Sequence, residues 1–554
     1  MVQQIAECAV RDGCSHRDVV ALSKLGSSGA YPSNINAELI RKLQPPPIKS
    51  AMSRMEVWVK NKFHRHKVTH PIMLPHELFA TLYSQHRDIF DKVICGGESN
   101  PPSKFWTSVA AHPMYESHPA KLRDNHVHKC IPLTVHGDGV GISGVGKAWQ
   151  RSIDAWSWTS LLSSGSTIDT QFLIYLMYPT SRIKEEGYDM CAVFERKLAW
   201  SLYWLFVGKW PTRDDQNRLM DYDGMGTDLA GGFYATLWGI RGDLEFMYKH
   251  FNFPWYHSGS PCGCCKANSG DKPWTDIREN SSWKSSVYTN AAWKLEHPGA
   301  NALWSLPGMG IVSYILDAMR VLHLGCYQKV YGSILKYLSH HHLPGSPDEN
   351  AQVLWSTIKR YYKDHGVEAQ LGDLRCSMYV PKKATAFPEL KAKAAEVRHL
   401  AEAMHALCLE YMDDATEVHK QMKLLTKLAV TMESIMDEYK DEFVLPPEAA
   451  ATFKESAYGF CGLTTQLGHH FHAQGHRLFN YTIKFHYLCH LGDAAAFWNP
   501  RKSWCYAGED LMHKVKLMIQ GAQRGARPHV VVAKVLNKYV FGLGLRLQGT
   551  VWKK

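Results

Sequence analysis

The chain predicts a mixed fold of the α/β (α+β) kind, with strands placed ahead of a long helical stretch. Three observations predict it. Runs of β-branched and aromatic residues, punctuated by glycine, crowd into residues 130–240. Apolar residues then recur every three or four positions from about 350 to 490. Hydrophobic residues make up 45% of the chain and charged residues 21%, values that belong to globular domains rather than to fibrous or disordered chains.

Taken in order, residues 1–50 read as loosely ordered, with Gly-Ser-Ser-Gly at 26–29 and Pro45, Pro46 and Pro47 in a row. Residues 51–125 read as short helices and loops. Pro75 opens one such helix, and neither a zinc finger nor a helix-turn-helix stands out. Residues 130–136 form a strand that the Gly137-Asp138-Gly139 triplet ends, and 140–163 read as a turn and returning strands. Residues 170–178 fit either a strand or a buried helix. A helix with an aromatic face follows over 191–210. Another strand over 233–240 ends at Arg241-Gly242-Asp243, and a loop rich in Gly and Cys runs to about 280.

Leu390, Val397, Leu400, Met404, Leu407 and Tyr411 share one helical face, as do Val418, Met422, Leu425, Leu428, Met432, Met436 and Tyr439. They predict two amphipathic helices or one long bent helix, with Pro446-Pro447 closing the section. A last helix over about 508–523 carries Glu509 near its start.

At 554 residues the chain is long enough for two to four structural units. Its net charge of +11 favours a polyanionic partner, although a mildly basic enzyme reads the same way. The 18 Trp fit either large cores or base-stacking surfaces, cores being the commoner use. The first residues lack a basic end followed by an apolar run, and the most apolar stretches are too short for a bilayer. An intracellular, non-membrane protein is therefore expected, with its 14 Cys as thiols and candidate metal ligands rather than disulfides.

Asp138 and Asp243 each follow a β-prone run, which would hold their carboxylates rigidly at strand ends. Glu509 is the third acid. Three carboxylates from separate elements can hold two Mg²⁺ or Mn²⁺ ions, which take oxygen ligands and serve phosphodiester chemistry. The plainer alternatives are turn residues for the two Asp and a helix-start residue for Glu509. Cys262 and Cys265 form a Cys-x-x-Cys pair, two of the four ligands a structural zinc takes, and His257 or His323 are candidate partners. The pair equally fits a packed thiol loop. His323 and the segment 484–490 read as polar-site or core residues. Residues 141–147 match most of a phosphate-binding loop, but Ala148 stands where a Ser or Thr hydroxyl is required. A glycine-rich hairpin is preferred there over a P-loop nucleotidase.

The series Val135-His136-Gly137-Asp138-Gly139-Val140, Gly146-Lys147-x-Trp149, Gly242-Asp243-Leu244, Pro261-Cys262-x-x-Cys265-Lys266, Pro273-Trp274-Thr275-Asp276, His323-Leu324-Gly325, Lys484-x-His486-Tyr487-Leu488 and Ala507-Gly508-Glu509 resembles the eukaryotic cut-and-paste DDE transposases. The likeness extends to transposase-like proteins of protist genomes. The resemblance spans about residues 130–515.

It implies a ribonuclease H-like core, a mixed sheet flanked by helices and interrupted by a large helical insertion. The units would be a helical and loop region over 1–125, the first part of the core with its Cys-rich loop over 126–340, the insertion over 341–480, and the rest of the core over 481–554. Asp138, Asp243 and Glu509 would ligate the catalytic Mg²⁺ or Mn²⁺ pair, and Cys262 and Cys265 match a Cys-x-x-Cys that such families carry. Where they continue with Asp-x-x-His, this chain has Asp317 but Arg320.

The implied function is a DNA transposase of the nucleus, cutting transposon ends and joining them to target DNA as a homodimer or higher oligomer. Lys147, Lys514, Lys516, Arg524 and Arg527 would touch phosphates, or else form a solvated face. A catalytically inactive, transposase-derived DNA-binding protein is the alternative, favoured by Arg320.

Overall fold

Strand β3 (Cys130–Gly141) runs through the middle of a four-stranded sheet. Ile131, Leu133 and Val135 are buried, as is nearly every other residue along it, because elements cover both faces. The computed structural model describes residues 2–24, 53–60, 64–142, 152–278, 280–299, 301–522 and 527–547. β4 (Ser152–Ser160) returns antiparallel to β3, and β5 (Phe172–Met177) lies antiparallel to β4. The chain then crosses over through helix α1 (Met190–Val207) and enters β6 (Tyr234–Gly242), parallel to β3 on its other side. The order is β5-β4-β3-β6. A parallel neighbour needs such a crossover, since a hairpin cannot supply it.

Local chemistry sets these elements. β5 is the segment that periodicity left open between strand and helix; all six of its residues are buried within the sheet. The Asp189 side chain accepts the Cys191 N–H at 2.8 Å to start α1, and Gly208 ends it in the left-handed region at φ 76°.

β3 does not stop at Gly137-Asp138-Gly139, as the sequence suggested, but continues to Gly141. The glycines serve another purpose. Gly137 and Gly242 face each other across the parallel pair, and the Phe246 ring of helix α2 (Leu244–Phe251) packs over both. A Cβ would lie 1.8 Å from that ring at Gly137 and 2.6 Å from it at Gly242.

Three further expectations change. Residues 51–125 contain a hairpin, β1 (Ser53–Lys60) and β2 (Arg65–Ile72), as well as helices. Met55, Val57 and Val59 are buried while Arg54 and Glu56 are exposed, a period-two pattern legible in the sequence. Short helices Val2–Arg11 and Arg17–Ser23 stand where loose order was expected, and the rest of that expectation lies outside the described residues. Pro446-Pro447 does not close the helical section: Pro447 starts a long helix, since proline is tolerated in the first turn.

The helical half comprises Ala401–Tyr411, α3 (Glu417–Glu438), α4 (Pro447–Ala473), α5 (Ile483–Ala494), α6 (Tyr506–Gln520) and α7 (Pro528–Leu547), among shorter segments. α6 packs on β3 and α7 on β2 and β5. Trp106, Trp156, Trp158, Trp238, Trp283 and Trp293 are fully buried, which is the core use of tryptophan. Among the described residues, no helix is long and apolar enough to cross a membrane.

Candidate functional site

The register of β3 against β6 places Gly137 opposite Gly242, so Asp138, just past the end of that pairing but still within β3, and Asp243, the residue after β6, lie at the same end of the pair. Asp138 is 5% exposed, and its Oδ1 accepts the Gly139 N–H at 2.8 Å. Asp243 caps α2, its Oδ1 accepting the Phe246 N–H at 2.6 Å. Glu509 lies in the first turn of α6. The preceding Gly508 sits against the His136 ring, where a Cβ would come within 2.5 Å, so α6 approaches β3 closely enough to bring Glu509 to the strand ends. The three acids nominated from sequence therefore converge.

They converge on Arg320. Its Nη2 lies 2.8 Å from Asp138 Oδ2 and donates to Glu509 Oε1, Nη1 lies 3.7 Å from Asp243 Oδ2, and Nε lies 3.5 Å from Asp317 Oδ2. Asp317, buried at 3%, is a fourth acid that sequence reasoning had noted only as a motif position.

Burial pushes Asp138 well above the usual carboxylate range. The Arg320 charge opposes that shift, and the Glu509 and Asp243 charges add to it. Burial also raises Asp317. Burial works against the Arg320 charge too, but the surrounding carboxylates outweigh it and hold the guanidinium more firmly protonated. His136 is pushed down to about 3 by burial and then by Arg320 and Arg241, which leaves it neutral.

Arg320 sits in a wide π-helical turn, Met319–Cys326, of a kind frequent at functional sites. Two of the sequence motifs meet to hold it. Leu324 leaves the helical region, and Lys484 Nζ donates to its freed carbonyl at 2.5 Å. Gly325 leaves room for the Lys484 chain. His323 is bound on both nitrogens, Nε2 to Glu433 Oε1 at 2.9 Å and Nδ1 to the Tyr506 hydroxyl at 2.8 Å. Beside the acids opens a cavity of about 610 Å³, whose walls include Asp243, His257, Trp274, Arg320, Lys329 and Lys484.

A second centre lies apart from the acids. Cys262 and Cys265 meet His486 and His490 of α5, all four buried, with one ligand atom of each within 4.8 Å of the others. Cys265 Sγ is 3.3 Å from His486 Nε2, and Cys262 Sγ is 3.5 Å from His490 Nε2. His486 Nδ1 lies 3.1 Å from the Trp274 carbonyl, the outer contact that orients a metal-bound imidazole. The Cys262 thiol is held well below its ordinary range: burial opposes this, and hydrogen bonds from Cys264 and Cys265 together with the His490 charge overcome it. Two thiols and two imidazoles are a donor set for zinc, and this cluster can hold a metal.

The expected partners His257 and His323 do not belong to it. His257 is exposed at the rim of the cavity, and His323 is engaged with Glu433 and Tyr506. The usable signal was His486-x-x-x-His490, which puts both imidazoles on one helical face.

Of the basic residues nominated for DNA, Lys514 is paired with Asp510, Lys516 is half-buried and Arg527 is exposed. Lys147 and Arg524 lie outside the described residues, as does most of the glycine-rich segment with Ala148. No protein-family model matches this chain, and no curated protein matches it.

Proposed function

We propose that the chain is a DNA transposase of the DDE type, built on a ribonuclease H-like core and using divalent cations to cut and rejoin phosphodiesters. The observation that carries this reading is the meeting of Asp138 within β3, Asp243 just after β6 and Glu509 at a helix start. A mixed sheet holding the first two acids, and a helical stretch between the second and the third, agree with it.

The donor set fits the implied ions, because the three groups offer oxygen atoms alone, which Mg²⁺ and Mn²⁺ prefer. When bound there, two such ions would activate a water or hydroxyl and stabilise the leaving oxygen. The chain's own residues supply the rest. The pairing of β3 with β4 fixes Asp138, the cap of α2 fixes Asp243, and the Gly508 contact brings Glu509 to them. Lys329, paired with Glu389, and Lys484, bound to the Leu324 carbonyl, line the adjoining cavity together with the acids. Hydrolysis at the transposon end would free a 3′ hydroxyl, whose oxygen would attack a target phosphorus as the adjoining target 3′ oxygen leaves with a proton. DNA of the transposon ends and the target would be the partners, and the nucleus the location.

One observation favours a second reading, a DNA-binding relative without activity. The Arg320 guanidinium engages the same carboxylate oxygens that a cation would take.

The experiment is a nicking assay on duplex DNA with Mg²⁺, Mn²⁺ or EDTA, run beside a salt titration of DNA binding, for the wild type and Asp138→Asn. The transposase reading expects metal-dependent nicking that Asp138→Asn abolishes. Nicking that survives EDTA or this substitution overturns it. Salt-dependent binding without nicking selects the second reading, and absence of both removes the two together.

A further inference from the structure

A separate cluster lies beneath β4, on groups the proposed chemistry does not use. Cys191 and Glu195 stand one turn apart on α1 and so share a face. His250, in the last turn of α2, points between them, and one ligand atom from each of the three lies within 4.8 Å of the others. All three side chains are buried, that of His250 at 1% exposure. The two His250 nitrogens differ. Nε2 lies 3.3 Å from Asp154 Oδ2, while Nδ1 has no hydrogen-bond partner and faces Glu195 Oε1 at 3.9 Å.

That asymmetry matches a metal-binding imidazole, which presents one nitrogen to the ion and donates the other N–H to a carboxylate. A buried nitrogen that faces a carboxylate from 3.9 Å, beyond hydrogen-bond distance, leaves its bonding capacity only partly met. We propose that Cys191, Glu195 and His250 Nδ1 bind a zinc-type divalent cation, with Asp154 as the outer carboxylate that orients the imidazole.

Sulfur, nitrogen and oxygen donors together are the mixed set zinc accepts, and around a tetrahedral ion such atoms stand about 3.3–3.8 Å apart; here Glu195 and His250 are 3.9 Å apart and all three donors lie within 4.8 Å, so an ion would draw them together. A fourth place remains for a water or for the Met177 thioether, whose Sδ is 3.4 Å from Cys191 Sγ. Charge balances as well. The ion displaces the Cys191 thiol proton and one His250 proton, so the cluster keeps the net charge it has with a protonated imidazole and a neutral thiol. The ion would join α1 to α2 under β4, where Asp154 faces Gly139, the residue after Asp138.

The test is the zinc content of the full-length protein, purified with added Zn²⁺ and measured by mass spectrometry of the dissolved metal. The wild type is expected to hold two ions per chain. Cys191→Ala and Glu195→Gln should each lose one and keep the ion at Cys262, Cys265, His486 and His490; Cys262→Ser with Cys265→Ser should keep one, and lose it when Cys191→Ala is added. A zinc content in Cys191→Ala equal to that of the wild type, or a Cys262→Ser/Cys265→Ser protein free of zinc, overturns the proposal whether or not the other centre binds metal. Should Cys191→Ala not fold, Co²⁺ in place of Zn²⁺ decides on the wild type: an imidazole-and-thiolate site beyond the Cys262 centre adds a third thiolate-to-cobalt charge-transfer contribution. A spectrum accounted for by two thiolates rejects it.

Discussion

Arg320→Gln tests whether one guanidinium stands in for a cation among the acids. Gln retains a polar side chain and removes the charge. In the wild type the guanidinium is 2.8 Å from Asp138, 3.5 Å from Asp317 and 3.7 Å from Asp243. The Asp138 and Asp317 side chains keep 8% and 3% exposure, against 25% for Asp243 and 38% for Glu509. The inner pair therefore sets the magnitude. Breaking a buried ion pair by removing one partner costs about 3–5 kcal/mol, while solvent-screened pairs are worth about 0–1 kcal/mol. Uptake of a proton by Asp138 relieves part of the loss, because burial already raises its proton affinity.

We expect Arg320→Gln to be less stable than the wild type by about 3 kcal/mol in EDTA. Mn²⁺ at a hundredfold excess over its dissociation constant should return about 2.7 kcal/mol to the variant. The wild type should respond less, since a cation there must first displace the guanidinium from the carboxylates. Urea unfolding with EDTA or Mn²⁺ measures both, and adding Asp138→Asn should reduce both effects. Equal stability of the two proteins in EDTA, together with an equal response to Mn²⁺, would refute the reasoning.

Two other perturbations have defined outcomes. Gly508→Ala places a methyl group 2.5 Å from the His136 ring, so α6 must move off β3 and take Glu509 with it; overpacking of this kind costs about 1–3 kcal/mol, and divalent-ion binding at the acids, followed by calorimetry, should weaken. Glu77 donates to no partner, accepts the Ser53 hydroxyl at 2.5 Å, and is pushed up to about 7 by burial against that hydrogen bond. Its folded form holds a proton more tightly than its unfolded form. The stability it contributes is therefore fully present below about pH 4.3 and is lost as pH rises through 7, by about 3 kcal/mol at most. Glu77→Gln should remove that dependence and unfold at higher urea than the wild type at pH 8, with the gap closing at pH 5; a gap that does not change with pH would count against it.

The acids were legible because each follows a β-prone run or opens a helix, although β3 runs on through Asp138 to Gly141 instead of stopping at it. Arg320 was legible as a departure from a motif, but not as the group all the acids share. A guanidinium on a π-helical turn meets partners from β3, β6 and α6 only once those elements have packed. The His pair of the Cys centre had a helical spacing that pointed to it, while His323 looked equally suited and went to Glu433 instead. The β1–β2 hairpin shows the opposite case, a period-two signal present in the residues and simply outweighed by the loops around it.

The amino-acid order by itself determined the local elements, because helix and strand periods, caps and breakers act over a few neighbouring residues. It also determined which groups carry acid, thiol and imidazole chemistry. What the tertiary structure alone decided is which of them meet. The glycines at 137, 242 and 508 read as turn or punctuation residues until the Phe246 and His136 rings occupy the space a Cβ would fill. Contacts between residues hundreds of positions apart depend on the register of β3 with β6 and on the closeness of α6, and no short stretch of sequence records those distances.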